Sequence, residues 1–447
     1  MFDIRVRAAV SRRAGVLLQW RRCAATVLAG FAGLEGSVAS AAAVQSCLDD
    51  GGPTTLRSVV ASAASNDTIT LPDCKISLIS GAIEIPQARL TLYGTKGGVT
   101  EVSAEGHSRV FHHTGNDQLV LKYLTASNGT YNAPVARGGC IYSASRLSLF
   151  GGVTVRTCSV NAALTSAPGS GLAQGGAVFS AGDMAIHNST VTGGLAHGEG
   201  QLAALRTIGG NVYSGGALDV KYSEISHGFA TGAIHSVGGG IGTHSTSGVT
   251  MRGALLLQNG AAFGGGFYIA TTNDATAVTI TNSVIASNST QYDGAGLLFA
   301  HCTPTVSNST VAFNFGGGIR TQVPMTLQST IAFANANHPD FAADTALTIG
   351  GDHNLVGTVG QAMLPGDTLH DDPLLGVVGN YGGPRQTVPL LRGSPAIDAG
   401  IDTNYRALVY DERGAGHSRA LGAAVDIGAF EFDPDPIFRN GFEKLEN

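Results

Sequence analysis

Between residues 76 and 336 the chain places apolar side chains in short runs, often with polar residues between them. Ile76 to Ile79, Ile83 to Ile85 and Leu90-Thr91-Leu92 are examples, and their period of two predicts short strands with one face buried. The breaks between runs recur. Gly-Gly followed by a small or apolar residue returns at Gly138-Gly139-Cys140, Gly175-Gly176-Ala177, Gly215-Gly216-Ala217, Gly239-Gly240-Ile241, Gly265-Gly266-Phe267 and Gly317-Gly318-Ile319, with the variant Ala295-Gly296-Leu297. A phrase that returns in this way marks a repeat architecture.

A small residue sits in the run before each Gly pair, and the column reads Cys158, Ser189, Ser223, Ala254, Ser283, Ser309 and Ser329. The steps along this column are 31, 34, 31, 29, 26 and 20 residues. That spread fits one coil of a parallel β-solenoid with loops of variable length at one corner, and it is too irregular for helical-pair repeats. Five positions on, most copies carry Gly194, Gly228, Asn259, Asn288 or Asn314. Gly and Asn reach φ > 0 at least cost, so the corner is expected to adopt that conformation there. Thr55 to Ala64 has helical spacing instead, with Leu56, Val59, Val60 and Ala63 on one face, and predicts an amphipathic helix over the open end of the solenoid.

Composition agrees. Gly is 63 of 447 residues, charged residues are 13% and hydrophobic residues 43%, which suits a packed, corner-rich β protein and argues against a disordered Gly/Ser chain. Net charge is −6, and no basic stripe is visible along the chain, so nucleic acid binding has no electrostatic support.

The first residues read as an export signal. Arg5, Arg7, Arg12, Arg13, Arg21 and Arg22 precede an apolar stretch from Cys23 to Leu34, and small residues follow, suiting cleavage after Ala41 or Ala43. The apolar stretch is too short to span a bilayer, so no transmembrane span is expected in the mature chain. Cysteine usage fits an oxidising compartment: Cys47 and Cys74 bracket the first mature segment, Cys140 and Cys158 flank a corner across which they could pair, and Cys302 is expected to be a buried thiol.

Five regions follow: 1–43, a signal peptide; 44–75, an N-terminal cap; 76–336, the β-helix repeats; 337–432, a C-terminal region that completes and caps the helix; and 433–447, a flexible tail containing Phe438 to Glu443. In 337–432 the Gly-Gly period fades and acidic phrases appear: Asp371-Asp372-Pro373, Gly393 to Gly400, Asp411-Glu412-Arg413-Gly414 and Asp426 to Glu431.

Three resemblances attach to these residues. The Gly-Gly phrases with Val311-Ala312-Phe313-Asn314 resemble the repeats of polymorphic outer membrane proteins, which are right-handed parallel β-helices at bacterial surfaces. Thr55-Leu56-Arg57 with Asp67-Thr68-Ile69 resembles a degenerate CSLREA N-terminal motif, lacking the Cys-Ser before Leu56 and carrying Ser58 where Glu is usual. Gly393 to Gly400, Asp411 to Gly414, Arg419 and Asp426 to Glu431 resemble the choice-of-anchor Q domain of exported β-helix proteins. Together they imply an exported surface protein and no catalysed reaction.

The expected fold is all-β: a single right-handed parallel β-helix, the pectin-lyase-like solenoid, with an N-terminal helical cap. About 300 residues at ~25 per coil predict roughly 12 coils stacked ~4.8 Å apart. Asp398, Asp411, Arg413, Arg419, Asp426 and Glu431 are the densest charged set. They read best as an ion-paired cap; Ca²⁺ binding and lyase chemistry are the sharper alternatives. No catalytic, cofactor-binding or metal-ligating residue is assigned. Glu199, Asp219 and Glu224 are the one loose acidic cluster inside the repeats, and the histidines, including His112 and His113, are expected at surfaces or corners.

The leading functional reading is an exported, secreted or cell-surface protein that binds an extracellular polysaccharide or surface partner without catalysis. A polysaccharide lyase or glycoside hydrolase of the same fold is the alternative; a structural spacer is a third. An enzyme requires a groove with three or more acids plus Arg or Lys on one strand face, and a spacer requires no concave or aromatic-lined groove. Trp20 is the single tryptophan and lies in the expected signal segment. Protein recovered after export is therefore expected to lack tryptophan fluorescence; an emission spectrum showing it would disprove cleavage.

Overall fold

In the computed structural model, which describes residues 41–166, 170–199, 205–401 and 408–434, the alternating runs fold as three strands per coil. Residues 1–40 of the expected signal segment and the Phe438–Glu443 tail lie outside the described residues. In one coil, Phe111–His113 is followed by Gln118–Lys122 and Thr125–Ser127; the next coil repeats this as Ile141–Ser143, Arg146–Phe150 and the longer Thr154–Ala163. Each strand pairs in parallel with its counterpart one coil on. The columns form three sheets. Sheet 1, holding Phe111–His113, and sheet 2, holding Gln118–Lys122, have 11 strands each; sheet 3, holding Thr125–Ser127, has 19 because it carries a lateral extension. The expected parallel β-helix is the architecture found. Its pairing runs from Ala41–Ala43, against Thr68–Thr70, to Val359–Met363.

Alternate side chains of each strand point inward and stack coil upon coil. Leu119, Leu121, Leu147, Leu149, Ile186 and Val220 fill the sheet 2 side, and Phe111, Phe267, Phe299 and Phe341 the sheet 1 side, all buried. His112 and His113 face opposite ways, as neighbours on a strand must. His112 Nδ1 meets Glu84 Oε2 at the surface, at 2.6 Å. His113 departs from the surface or corner position expected of it: it is fully buried, with Nδ1 2.8 Å from Ser143 Oγ and Nε2 3.1 Å from the Gln87 carbonyl. Burial holds its pKa below the usual histidine value.

The corner between sheet 3 and sheet 1 is built on a stack of buried amides. Nδ2 of Asn211 donates to Oδ1 of Asn259 at 3.3 Å, Asn259 to Asn288 at 3.0 Å, Asn288 to Asn314 at 2.9 Å and Asn314 to Asn335 at 2.8 Å. Each amide also binds backbone: Asn288 Oδ1 accepts from the Asn259 N–H at 3.0 Å, and its Nδ2 donates to the Leu256 carbonyl at 3.1 Å. At this corner the glycines leave no room for a side chain; a Cβ on Gly176 would lie 2.1 Å from the Gly210 carbonyl oxygen, and one on Gly240 2.9 Å from the Asn259 amide.

Three expectations are corrected here. Asn259, Asn288 and Asn314 do not take φ > 0; the residue before each does, Gln258 at 54°, Ser287 at 56° and Phe313 at 58°. Asn is needed at this position for its side-chain amide. Second, Gly215-Gly216 sits at a different corner, between Val212–Ser214 of sheet 1 and Leu218–Lys221 of sheet 2; the corner copy in that coil is Gly209-Gly210. Third, the small-residue column is out of register at its ends. Thr154 pairs with Thr190, which places Val153 rather than Cys158 level with Ser189, and Thr310 pairs with Ile331, which places Thr330 rather than Ser329 level with Ser309.

At the entry end, the helix spans Leu56–Ser62, with Thr55 as N-cap and Leu56, Val59 and Val60 buried. Arg57 clamps it by a two-pronged bond to Asp49, 2.9 and 2.8 Å. Cys47–Cys74 and Cys140–Cys158 are both disulfides, with Cα separations of 6.2 and 5.4 Å. Cys302 is buried, and burial pushes its thiol pKa up to about 12, which leaves it inert at neutral pH.

Residues 370–434 do not continue the coils. These phrases, expected to cap the helix, run back along the outer face of sheet 3. Val388 and Ala429 cover the outward Leu255, Leu257, Val284 and Ala286; Leu390, Ala396, Ile427 and Phe430 cover Ile331 and Leu355. Arg385 reaches as far as Tyr222, donating to its carbonyl at 3.1 Å. This lateral clamp explains why Leu255–Leu257 is buried on both faces.

Removing one amide from the stack orphans buried groups on two coils. Asn288→Ala is expected to cost about 2–4 kcal/mol, measured by chemical denaturation, whereas Asn132→Ala on an exposed strand position should stay within about 0.5 kcal/mol.

Candidate binding cleft

The acidic C-terminal phrases come together, and they come together buried. Asp411 Oδ2 accepts Arg413 Nε at 2.8 Å and the Glu431 N–H at 3.0 Å, and its Oδ1 accepts the Arg413 N–H at 2.9 Å. Arg413 lies 3.8 Å over the Phe430 ring and donates to the Glu431 carbonyl at 2.8 Å. Arg419 is fully buried, donates to the Asp426 carbonyl at 2.9 Å and sits 3.7 Å from Glu431. Asp426 accepts the N–H groups of Asp398, at 2.8 Å, and Phe432, at 2.6 Å. Asp398 Oδ1 accepts the Ala424 N–H at 3.1 Å. Apart from the exposed Asp398, the set is a buried knot that folds the clamp, with Asp411 held by Arg413 and backbone donors and Asp426 by backbone donors.

Burial raises several of these acids. Glu412 is pushed up to about 8 by burial, and Glu431 to about 8 by burial and then by Asp426 beside it. Asp426 is raised for the same first reason.

The loose acidic cluster does not assemble. Asp219 lies on the outer face of sheet 2, 2.9 Å from His187 and 2.7 Å from Lys221. Glu224 lies on sheet 3, accepting from Ser226 Oγ at 2.7 Å, and Glu199 accepts from Asn161 at 2.6 Å on the lateral extension. Sheet 2 does collect charge in a way the linear sequence hides. Lys122, Phe150, His187, Lys221 and Arg252 occupy one register column, a basic column with an aromatic step. Asp219 ion-pairs with Lys221 and hydrogen-bonds with His187, and Arg146 pairs with Asp117 alongside. Among the described residues no group of three His, Cys, Asp or Glu side chains is placed to hold a metal ion.

The best-formed concavity lies elsewhere, on the lateral extension of sheet 3, and contains none of the expected site residues. Its volume is about 500 Å³. The extension is tall in one coil, Thr190–Glu199 with Arg206–Ile208, and still two-stranded in the next, Phe229–Thr231 with His235–Val237. It then drops to Gly260–Phe263 and Ser289–Asp293. Strand pairing across the drop survives only at Phe229–Gly260 and Val237–Phe263. The stretch Ala230 to Ser236 therefore stands as a wall above a floor of Gly260, Ala261, Ala262, Ser289 and Thr290.

One register column sets the shape. It reads Leu195, Phe229, Gly260, Ser289, Phe315 and Ala336. Phe229 and Phe315 thus flank two small residues, three coil steps apart, or about 14 Å at ~4.8 Å per coil, and the Phe229 ring leans onto Gly260, where a Cβ would lie 2.9 Å from its ring carbons. Phe229 is 43% and Phe315 57% exposed. Tyr292, 44% exposed, stacks on Phe263 with centroids 4.8 Å apart and closes the long side. Thr231, Ser289, Thr290 and Gln291 supply polar edges, and no described lining residue carries a charge at neutral pH.

A second aromatic series runs along the outer face of sheet 1, and its geometry differs. Tyr142, Phe179 and Tyr213 stack at 5.3 Å with interplanar angles of 8° and 4°. Rings stacked face to face along the axis hide their faces from ligand, so this series stiffens the sheet. The cleft rings are unstacked by Gly260 and Ser289 and keep faces open. The cleft residues were missed in the sequence because exposure, not residue type, distinguishes them. The signal was nevertheless present: Phe229, Gly260, Ser289 and Phe315 each follow directly on the corner positions Gly228, Asn259, Asn288 and Asn314.

No family model matches the chain and no curated protein matches its sequence, so none of the three resemblances has a family assignment behind it. Among solved structures, a crystal structure of pectate lyase Pel9A aligns with 89% of this chain and 98% of that chain, at 13% identity and a TM-score of 0.45. That likeness is too slight to bear on activity, and the architecture above follows from the strand pairing itself.

The buried acids make a pH prediction for the clamp. Glu412 and Glu431 have folded pKa values near 8 against an ordinary 4.5, so between these limits the folded state holds more protons than the unfolded one. Stability contributed by the clamp is therefore expected to fall as pH rises from about 4.5 to about 8 and to level off above. Denaturation midpoints at pH 5, 7 and 9 measure this, and Glu412→Gln should flatten the slope.

Proposed function

We propose that this is an exported, non-catalytic carbohydrate-binding β-helix that takes an uncharged glycan in the cleft between Phe229 and Phe315. The observation that carries the reading is the combination in that cleft of open aromatic faces, hydroxyl and amide edges, and no charged side chain. Apolar faces of pyranose rings pack on aromatic rings while their hydroxyls need polar partners, which is the mixture of a small-ligand site. With no Asp, Glu, His, Lys or Arg among its described lining residues and Tyr292 as its one ionisable group, such a cleft is built for binding without turnover. Its existence also disfavours a mere spacer.

Export is supported by the two disulfides, which persist in oxidising compartments. No helix among the described residues is long and apolar enough to cross a membrane. The choice-of-anchor Q and outer-membrane-repeat resemblances point to the same cell-surface setting. The lyase alternative would have to work on the outer face of sheet 2, near Asp117, Arg146, Asp183, Asp219 and Lys221, where Asp117 and Asp219 are already held in ion pairs.

A glycan-array screen of the exported chain, with and without calcium, is expected to return neutral glycans bound equally in both conditions. Phe229→Ala and Tyr292→Ala should each weaken binding about tenfold, the loss of one aromatic contact of about 1.4 kcal/mol, with denaturation midpoints unchanged. Accumulation of unsaturated sugar products would establish the lyase instead.

A further inference from the structure

We infer that the cleft receives the terminus of an oligosaccharide end-on and does not clasp the interior of a long chain; this rests on the glycan reading above. The ground is the asymmetry of the lateral extension. Along the stacking axis the floor of Ala261, Ser289 and Thr290 carries small side chains, but on the Phe229 side, where that ring leans onto Gly260, it stops against the wall of Ala230 to Ser236. That wall is backed by the taller preceding coil, through pairing of Leu195, Ala196 and His197 with Phe229, Ala230 and Thr231, and of Arg206 to Ile208 with His235 to Val237. Ile234, 45% exposed, stands on the wall facing the cleft. A polymer lying along the axis cannot pass through it.

The opposite end differs. Phe315 is a single post, and the next residue of its column is the small, exposed Ala336, so no side chain of that column walls this end. The wall also supplies chemistry suited to a chain end. Strand pairing to the following coil stops at Phe229–Gly260 and resumes only at Val237–Phe263, which leaves the backbone edge between them turned to the cleft. Backbone N–H and C=O groups at an open strand edge bind hydroxyls without charge, and a chain terminus presents more free hydroxyls than an interior unit. A pyranose repeat is close to one coil spacing, so the three coil steps between Phe229 and Phe315 hold about three rings.

Titration calorimetry with neutral cello-, xylo- and manno-oligosaccharides, from mono- to hexasaccharide, tests this. Affinity for the best series is expected to climb to the trisaccharide and then stay flat, and the parent polymer should compete in proportion to its chain ends, so that partial hydrolysis raises competition per unit mass. Ser289→Trp, which fills the floor without touching the wall, should abolish binding while circular dichroism and the denaturation midpoint remain those of the parent. Affinity that keeps rising to the hexasaccharide, with Ser289→Trp still abolishing it, overturns end-on binding and leaves the cleft as a glycan site. Binding unaffected by Ser289→Trp, or no binding of any probe, overturns both.

Discussion

The amide stack at the corner between sheet 3 and sheet 1 is the constraint on which this molecule depends. Parallel coils have no hairpins to set their register, so something must fix each coil against the next. Asn211, Asn259, Asn288, Asn314 and Asn335 do so by satisfying buried backbone groups of one coil with the amide of another. The glycines beside them let carbonyl oxygens approach within the space a Cβ would need. Slipping one coil by a residue would bury unpaired amides and drive side chains into that space at once.

A rigid corner frees the neighbouring segment to vary. In the coils of Asn259 and Asn288 the lateral extension begins just after the amide and returns at the glycine pair or its Ala-Gly variant, whereas Asn211 stands on the return side, so the extension changes length from coil to coil without disturbing the stack. The cleft is a by-product of that variation: a tall extension ending beside short ones makes a wall and a floor. The clamp follows the same logic from outside. By covering the outward Leu255, Leu257, Val284 and Ala286, it lets those strands be apolar on both faces. Within the clamp, Asp411 is held by Arg413 and backbone N–H groups, and Asp426 by backbone N–H groups.

Much of the coil was legible in the chain because its signals are local. Period-two alternation, the entry helix with Leu56, Val59 and Val60, and the recurrence of Gly-Gly and Asn are properties of short windows. The errors came from treating register as local too. Gly215-Gly216 copies the corner phrase at another corner, and Cys158 matches a serine column by type while pairing with Gly194, five residues beyond it. Asn at the corner was assigned a backbone role because Asn and Gly share left-handed preference; the stack shows that its amide is what the site requires.

The sequence by itself determined the repeat, the helical cap, the cysteines available for pairing and the poverty of charge, since each is a matter of residue type and spacing. Only the tertiary structure decided which residues share a column. Phe229 and Phe315 lie 86 positions apart and become two ends of one cleft because coils stack and Gly260 and Ser289 leave the space between them. The basic column on sheet 2 and the lateral course of the acidic phrases arise in the same way. Stacking converts distance along the chain into adjacency, and the length of each intervening loop, which no local pattern specifies, sets what meets what.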